Sequence, residues 1–147
     1  MSRPRVVVTL LATFALLAPA CGGDDGASVD VTLQEFAISA STTSVGAGDV
    51  TFNATNDGPN DPHELVVIKT DLGITELPTG DDGAVLEDGE GIELIGEIEE
   101  FDVGTSESAT YDLDAGAYVL ICNIVEDEDG ELESHYQEGM RTAFTVT

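Results

Sequence analysis

Apart from the initiator Met1 and an early Cys21, the 147-residue chain holds two histidines, one cysteine and one methionine. They occur in the order His63, Cys122, His135, Met140. Two imidazoles, a thiolate and a weak axial thioether are the ligand set of a trigonal blue-copper electron-transfer centre. Singly, each residue has a plainer reading. His63 would be a satisfied polar side chain, Met140 core filler and Cys122 a small buried hydrophobe. Such independent readings would have to coincide to leave this ordered set by chance.

The elements that position these residues read as β-structure. Residues 29–39 alternate, with Val29, Val31 and Leu33 on one face, then Phe36 and Ile38 after a one-residue slip that suggests a bulge. Residues 50–54 form a second strand region after the Gly46–Asp49 turn. A dense turn cluster, Asn56-Asp57-Gly58-Pro59-Asn60-Asp61-Pro62, delivers His63 and the β-branched run 65–68. Residues 70–90 are rich in Gly, Asp and Pro and read as a long surface excursion. Strands are expected at 92–98, 108–113, 117–122 and 143–146, with a helical turn at 135–140. Seven or so short strands punctuated by turns predict an all-β antiparallel sandwich or barrel.

The N-terminus is a leader in composition. Arg3 and Arg5 precede an apolar run at 6–17, too short for the roughly 20 residues of a spanning helix. Leu17-Ala18-Pro19-Ala20-Cys21, followed by Gly and Asp, resembles a bacterial lipoprotein signal in which Cys21 is lipidated. An ordinary signal peptide cut near Ala20 is the alternative. The expected organisation is a signal peptide at 1–20, a tether at 21–28 and one domain at 29–147. With Cys21 carrying lipid, Cys122 has no disulfide partner in an oxidising compartment, and metal coordination gives that thiol a purpose.

All 30 acidic residues come after the leader, where only Lys69 and Arg141 are basic, so the mature net charge is −28. That field repels nucleic acid and anionic lipid and favours a cationic partner, or solubility in high salt. The acidic run at 127–131 is no calcium loop. With Gly130 at the sixth position of an EF-hand, Val125 would stand first and Tyr136 twelfth.

Pro62-His63-Glu64-Leu65, Gly116-Ala117-Tyr118-Val119-Leu120-Ile121-Cys122 and His135-Tyr136-Gln137-Glu138-Gly139-Met140 together resemble the cupredoxin family, in its plastocyanin- and azurin-like members. The resemblance implies a Greek-key β-sandwich with one mononuclear type 1 copper on His63, Cys122, His135 and Met140. It implies a one-electron carrier, not an enzyme, exchanging electrons near an exposed edge of His135. A monomer anchored by lipid at the outer face of the cytoplasmic membrane would meet membrane-associated or soluble redox partners that present a cationic docking face. Copper delivery, storage or sensing on the same fold is the alternative. A cysteine nucleophile lacks its motif context, and Met140 argues against zinc.

Two departures from the family stand out. Twelve residues, 123–134, separate Cys122 from His135, where relatives often have only a few. Closure entropy grows only logarithmically with length, so a hairpin-like excursion could project outward with both ends near the metal. Glu64 stands where many relatives carry Asn, so a bond tying two ligand loops is expected to be missing or remade.

Overall fold

The computed structural model describes residues 26–147, so the leader and Cys21 lie outside the described residues. These residues form eleven strands and one short helix. They are β1 (Ala27–Gln34), β2 (Ala37–Ala40), β3 (Ser44–Val45), β4 (Gly48–Asn56), β5 (His63–Lys69), β6 (Glu93–Phe101), β7 (Ser106–Leu113), β8 (Gly116–Ile121), β9 (Val125–Glu128), β10 (Glu131–Ser134), α1 (His135–Glu138) and β11 (Arg141–Val146). One sheet runs β2-β1-β4-β7 and the other β3-β11-β8-β5-β6, while β9 and β10 form a separate two-stranded ribbon.

The all-β sandwich expected from the sequence is present, with two corrections to its pairing. β1 pairs parallel with β4, and β3 parallel with β11; the other ladders are antiparallel. The chain leaves β1 through β2 and crosses to the other sheet at β3. When it returns as β4 it therefore lies beside β1 in the same direction. The slip near Phe36 is not a bulge in one strand but the turn between β1 and β2, whose register pairs Gln34 with Ala37. A phase change of one residue looks alike in both cases, because both invert the alternation. β1 also starts at Ala27, inside the stretch read as tether.

Alternation explains the main core. Val29, Val31 and Leu33 of β1, with Val50, Phe52 and Ala54 of β4, face Leu65, Val67, Leu120 and Phe144 of the opposite sheet. Side chains at every second position point to one face, so each strand supplies a buried row. β5 and β8 break that rule, because their other face is buried too. Val66, Ile68, Val119 and Ile121 pack against Leu77, Val85 and Tyr136. The 70–90 segment is therefore not a free surface excursion but a cover for this sheet. The Tyr136 hydroxyl pins it, donating to Ile74 O at 3.0 Å and accepting from Leu77 N at 3.3 Å. Burial on both faces is why 65–68 reads as an unbroken apolar run.

Candidate metal centre

His63 opens β5, Cys122 comes directly after β8, His135 opens α1, and Met140 lies between α1 and β11. The topology gathers these termini at one end of the sandwich, since β8 pairs with both β5 and β11. Near His63, β6 carries one extra residue: His63 pairs with Phe101 but Leu65 with Ile98. Irregularities of this kind re-aim side chains beside functional sites.

The three metal-binding atoms converge. Cys122 Sγ lies 3.3 Å from Nδ1 of His135 and 4.0 Å from Nδ1 of His63. The two imidazoles stand 5.1 Å apart at 75°. Donors held about 2.0–2.3 Å from one first-row ion in a trigonal set stand roughly 3.5–4 Å from one another. The observed spacing fits such an ion, and two imidazoles with a thiol suit copper. His63, Cys122, His135 and Met140 are all fully buried.

Met140 is placed by its backbone. Its N–H donates to His135 O at 2.9 Å and its carbonyl accepts from Cys122 N at 3.1 Å, tying the cysteine strand to the histidine turn. Ser134 caps that turn by accepting from Gln137 N, and donates to Gly83 O at 2.8 Å. Gly139 ends it at φ +132°, and a Cβ there would stand 2.8 Å from Phe36 O. Glycine at this position is thus required twice, by backbone conformation and by space.

The long insertion is a hairpin. Glu126, Asp127 and Glu128 pair with Glu133, Leu132 and Glu131 across an Asp129-Gly130 turn, both residues with positive φ, a two-residue geometry that favours Asp-Gly. Its base is closed by Val125 opposite Ser134 and by His135 N donating to Ile124 O at 3.0 Å. Closing at the base is what lets twelve intervening residues leave the donor atoms together. One expectation fails here. His135 has no exposed edge, because Phe36 meets its ring edge-on at 6.1 Å and Glu126 Oε2 stands 3.8 Å from its Nε2. Glu126 at the hairpin base covers the histidine, while the distal residues Asp127 and 129–132 are exposed.

Electrostatics reflect burial. Burial pushes the Cys122 thiol up to about 12, so the metal-free site holds a thiol whose proton a cation must displace. Burial and the neighbouring His135 lower His63, keeping it neutral and ready to ligate.

Glu64 replaces the expected loop tie with one of its own: its Oε1 accepts from Asn123 N at 3.0 Å, across the His63 and Cys122 loops. Burial raises Glu64 to about 7, helped by Glu97, Glu87 and Glu99 and opposed by the Asn123 bond. The folded state therefore keeps a proton that the unfolded chain releases. This contribution to stability is full below about pH 4.5, the ordinary carboxylate value, and is lost as pH rises towards 7. The loss is on the order of 3 kcal/mol, at about 1.4 kcal/mol per unit. Denaturant unfolding of the metal-free protein at pH 5 and pH 8 should show it, and Glu64→Gln should remove most of the difference. Equal pH slopes in both proteins would contradict the assignment.

Sequence reasoning overlooked two asparagines. Asn123 donates through Nδ2 to Val85 O and accepts through Oδ1 from Val85 N, joining the covering segment to the cysteine loop. Asn56 is fully buried and braces the turn before His63. Their types signal turns in general, and nothing in the sequence marks these two from the others.

No protein-family model matches the chain, and no curated protein sequence does. Solved structures do. Reduced auracyanin from Roseiflexus castenholzii is 20% identical over 83% of this chain and 99% of its own, with a TM-score of 0.59. Auracyanin A from Chloroflexus aurantiacus, described as a "blue" copper protein, is 20% identical over 83% and 99%, with a TM-score of 0.56. An azurin from Methylomonas sp. strain J is 16% identical over 82% and 98%, with a TM-score of 0.51. Nearly the whole length of those domains is thus matched here, and the chain has the β-sandwich fold of the auracyanins and azurin, the cupredoxin fold.

Proposed function

We propose that this protein is a one-electron carrier that holds a single type 1 copper on His63, Cys122, His135 and Met140. The observation that carries the reading is the convergence of two imidazole Nδ1 atoms and one thiol in a fully buried pocket. Copper, when bound, supplies a one-electron couple between Cu(II) and Cu(I). The chain supplies the rest. Cys122 gives up its proton, His63 is already neutral, and the backbone bonds of Met140 hold the cysteine and histidine loops in fixed relation. A scaffold braced in this way changes little between charge states, which suits electron transfer. Donors buried this fully favour a retained metal over one handed to a partner or opened to a substrate. Electrons would cross the layer over His135, where Phe36 and the base of the hairpin lie.

The test is a Cu(II) titration of the protein, read by visible absorption, EPR and voltammetry. One equivalent should give an intense blue thiolate-to-copper band and a reversible one-electron couple. A colourless or zinc-preferring protein would sink the reading and leave copper delivery or a structural role.

The composition of the leader supports export, and lipid on Cys21 would hold the domain at the outer membrane face. One acyl chain binds only marginally, whereas the several chains of a lipoprotein cysteine anchor stably. The hairpin charges suggest a cationic redox partner that docks beside the site. Association should then slow as salt rises, since exposed charges are screened beyond about 10 Å at 0.1 M. Neutralising Asp127, Asp129 and Glu131 together should flatten that dependence in stopped-flow electron transfer with a cationic donor. An unchanged slope would refute docking at the hairpin.

A further inference from the structure

One carboxylate of the acidic hairpin is turned inward. Glu126 of β9 carries Oε2 3.8 Å from Nε2 of His135, and Asp61, from the turn before β5, brings a carboxylate oxygen within 4.8 Å of a Glu126 carboxylate oxygen and a His135 ring nitrogen. Nε2 of His135 is fully buried and makes no hydrogen bond at this distance. Buried polar atoms are nearly always paired, because leaving one unpaired costs the full desolvation of the group.

The other ring nitrogen decides which way Nε2 must act. Nδ1 of His135 faces the Cys122 thiol at 3.3 Å, within the donor set assigned to copper. A neutral imidazole that binds metal through Nδ1 carries its one proton on Nε2, so Nε2 is a donor in need of an acceptor. The atom it faces is a carboxylate oxygen, a usual partner for the outer N–H of a metal-bound histidine. The hairpin base holds the acceptor close, since His135 N bonds Ile124 O and Val125 pairs with Ser134. The distance exceeds ordinary hydrogen-bond length by only about one ångström.

We propose that Glu126 is a positioning residue for the metal: it accepts the Nε2–H of His135, fixes that imidazole on the copper, and with Asp61 favours Cu(II) over Cu(I). The inference rests on the copper reading above. An anionic acceptor makes the imidazole a stronger donor, and the more highly charged ion gains more from it. The insertion between Cys122 and His135 is then not a neutral loop extension. It delivers the carboxylate that sets the reduction potential, while covering the histidine edge from solvent.

The experiment compares the copper-loaded protein with Glu126→Gln, Glu126→Ala and a control, Glu131→Gln, which removes a charge from the far strand of the same hairpin. Midpoint potential is read by voltammetry, and the remote nitrogens of the two imidazoles by pulsed EPR. Removing the anionic acceptor, by neutralising it in Glu126→Gln or deleting it in Glu126→Ala, should cut the preference for Cu(II) over Cu(I) about tenfold, a rise of about 59 mV for a one-electron couple. The remote-nitrogen signal of one imidazole should change, and the control should move neither nearly as far. Glu126→Gln, close in shape, keeps the test readable where the alanine variant loads poorly. Blue variants with potentials no higher than the control and unchanged remote nitrogens would overturn the proposal alone. A parent protein that never turns blue would overturn the copper reading and this proposal with it.

Discussion

Cys122→Ser should fold, bind copper at least about a hundredfold more weakly, and show no intense blue band. Loss of an outer-shell partner alone costs a metal site about 10–100-fold, and here a direct ligand is lost. The serine hydroxyl is a hard donor that stays protonated, so it offers Cu(I) no soft ligand and Cu(II) no thiolate charge-transfer transition. The fold should survive because the packing that defines it lies between the two sheets, around Phe52, Leu33 and Phe144. A hydroxyl in that buried position costs about 1–3 kcal/mol on the protein mutational scale, with His135 Nδ1 near enough to offset part of it. Absorption and EPR check the metal, and a thermal melt checks the fold. A blue band surviving in the variant would remove Cys122 from the site.

Asn56→Ala should be among the most destabilising single changes away from the main core. Asn56 is fully buried, its Nδ2 donates to Asp61 O at 2.9 Å and Phe101 O at 3.2 Å, and its Oδ1 accepts from Gly58 N at 2.8 Å. One side chain thereby fastens the end of β4, the turn before His63 and the end of β6. Removing it strands three backbone groups, at about 1–3 kcal/mol for each that stays buried and unpaired. An overall loss of about 3–5 kcal/mol is expected, which lowers Tm by about 10 °C or more in a domain of this size. Asp61 and Pro62 lead straight into His63, so copper affinity should fall as well. Asn53→Ala is the comparison, because Asn53 bonds Ser28 and Asp30 on the open face of its sheet and should cost under about 1 kcal/mol. Similar melting points for the two variants would show that the turn before His63 is not braced from within.

These two residues show where sequence reading stops. Cys122 stood out because its chemistry is rare in this chain and its place in the ligand order is informative. Asn56 did not, because an asparagine in a Gly, Pro and Asp cluster reads as one turn residue among several. Its role depends on Phe101, forty-five positions later, arriving at the same point. Glu64 is similar. Its identity flagged a departure, but only the meeting with Asn123, fifty-nine positions away, shows that the loop tie is remade.

Local pattern and donor chemistry were enough to read the all-β class and to single out the candidate donor residues. Alternation of apolar residues made the sandwich, turn residues divided its strands, and the order His63, Cys122, His135, Met140 specified a soft trigonal donor set. Which distant groups meet was a matter for the folded chain. Folding set β4 parallel to β1, laid residues 70–90 over the outer face of β5 and β8, and closed β9 on β10 so that Glu126 faces a buried His135. Periodicity reports whether a residue faces a core, whereas the partner waiting there is chosen by chain crossings and by competition for burial. A hairpin that turns Glu126 toward the histidine and one that turns it to solvent have the same length, charge and alternation.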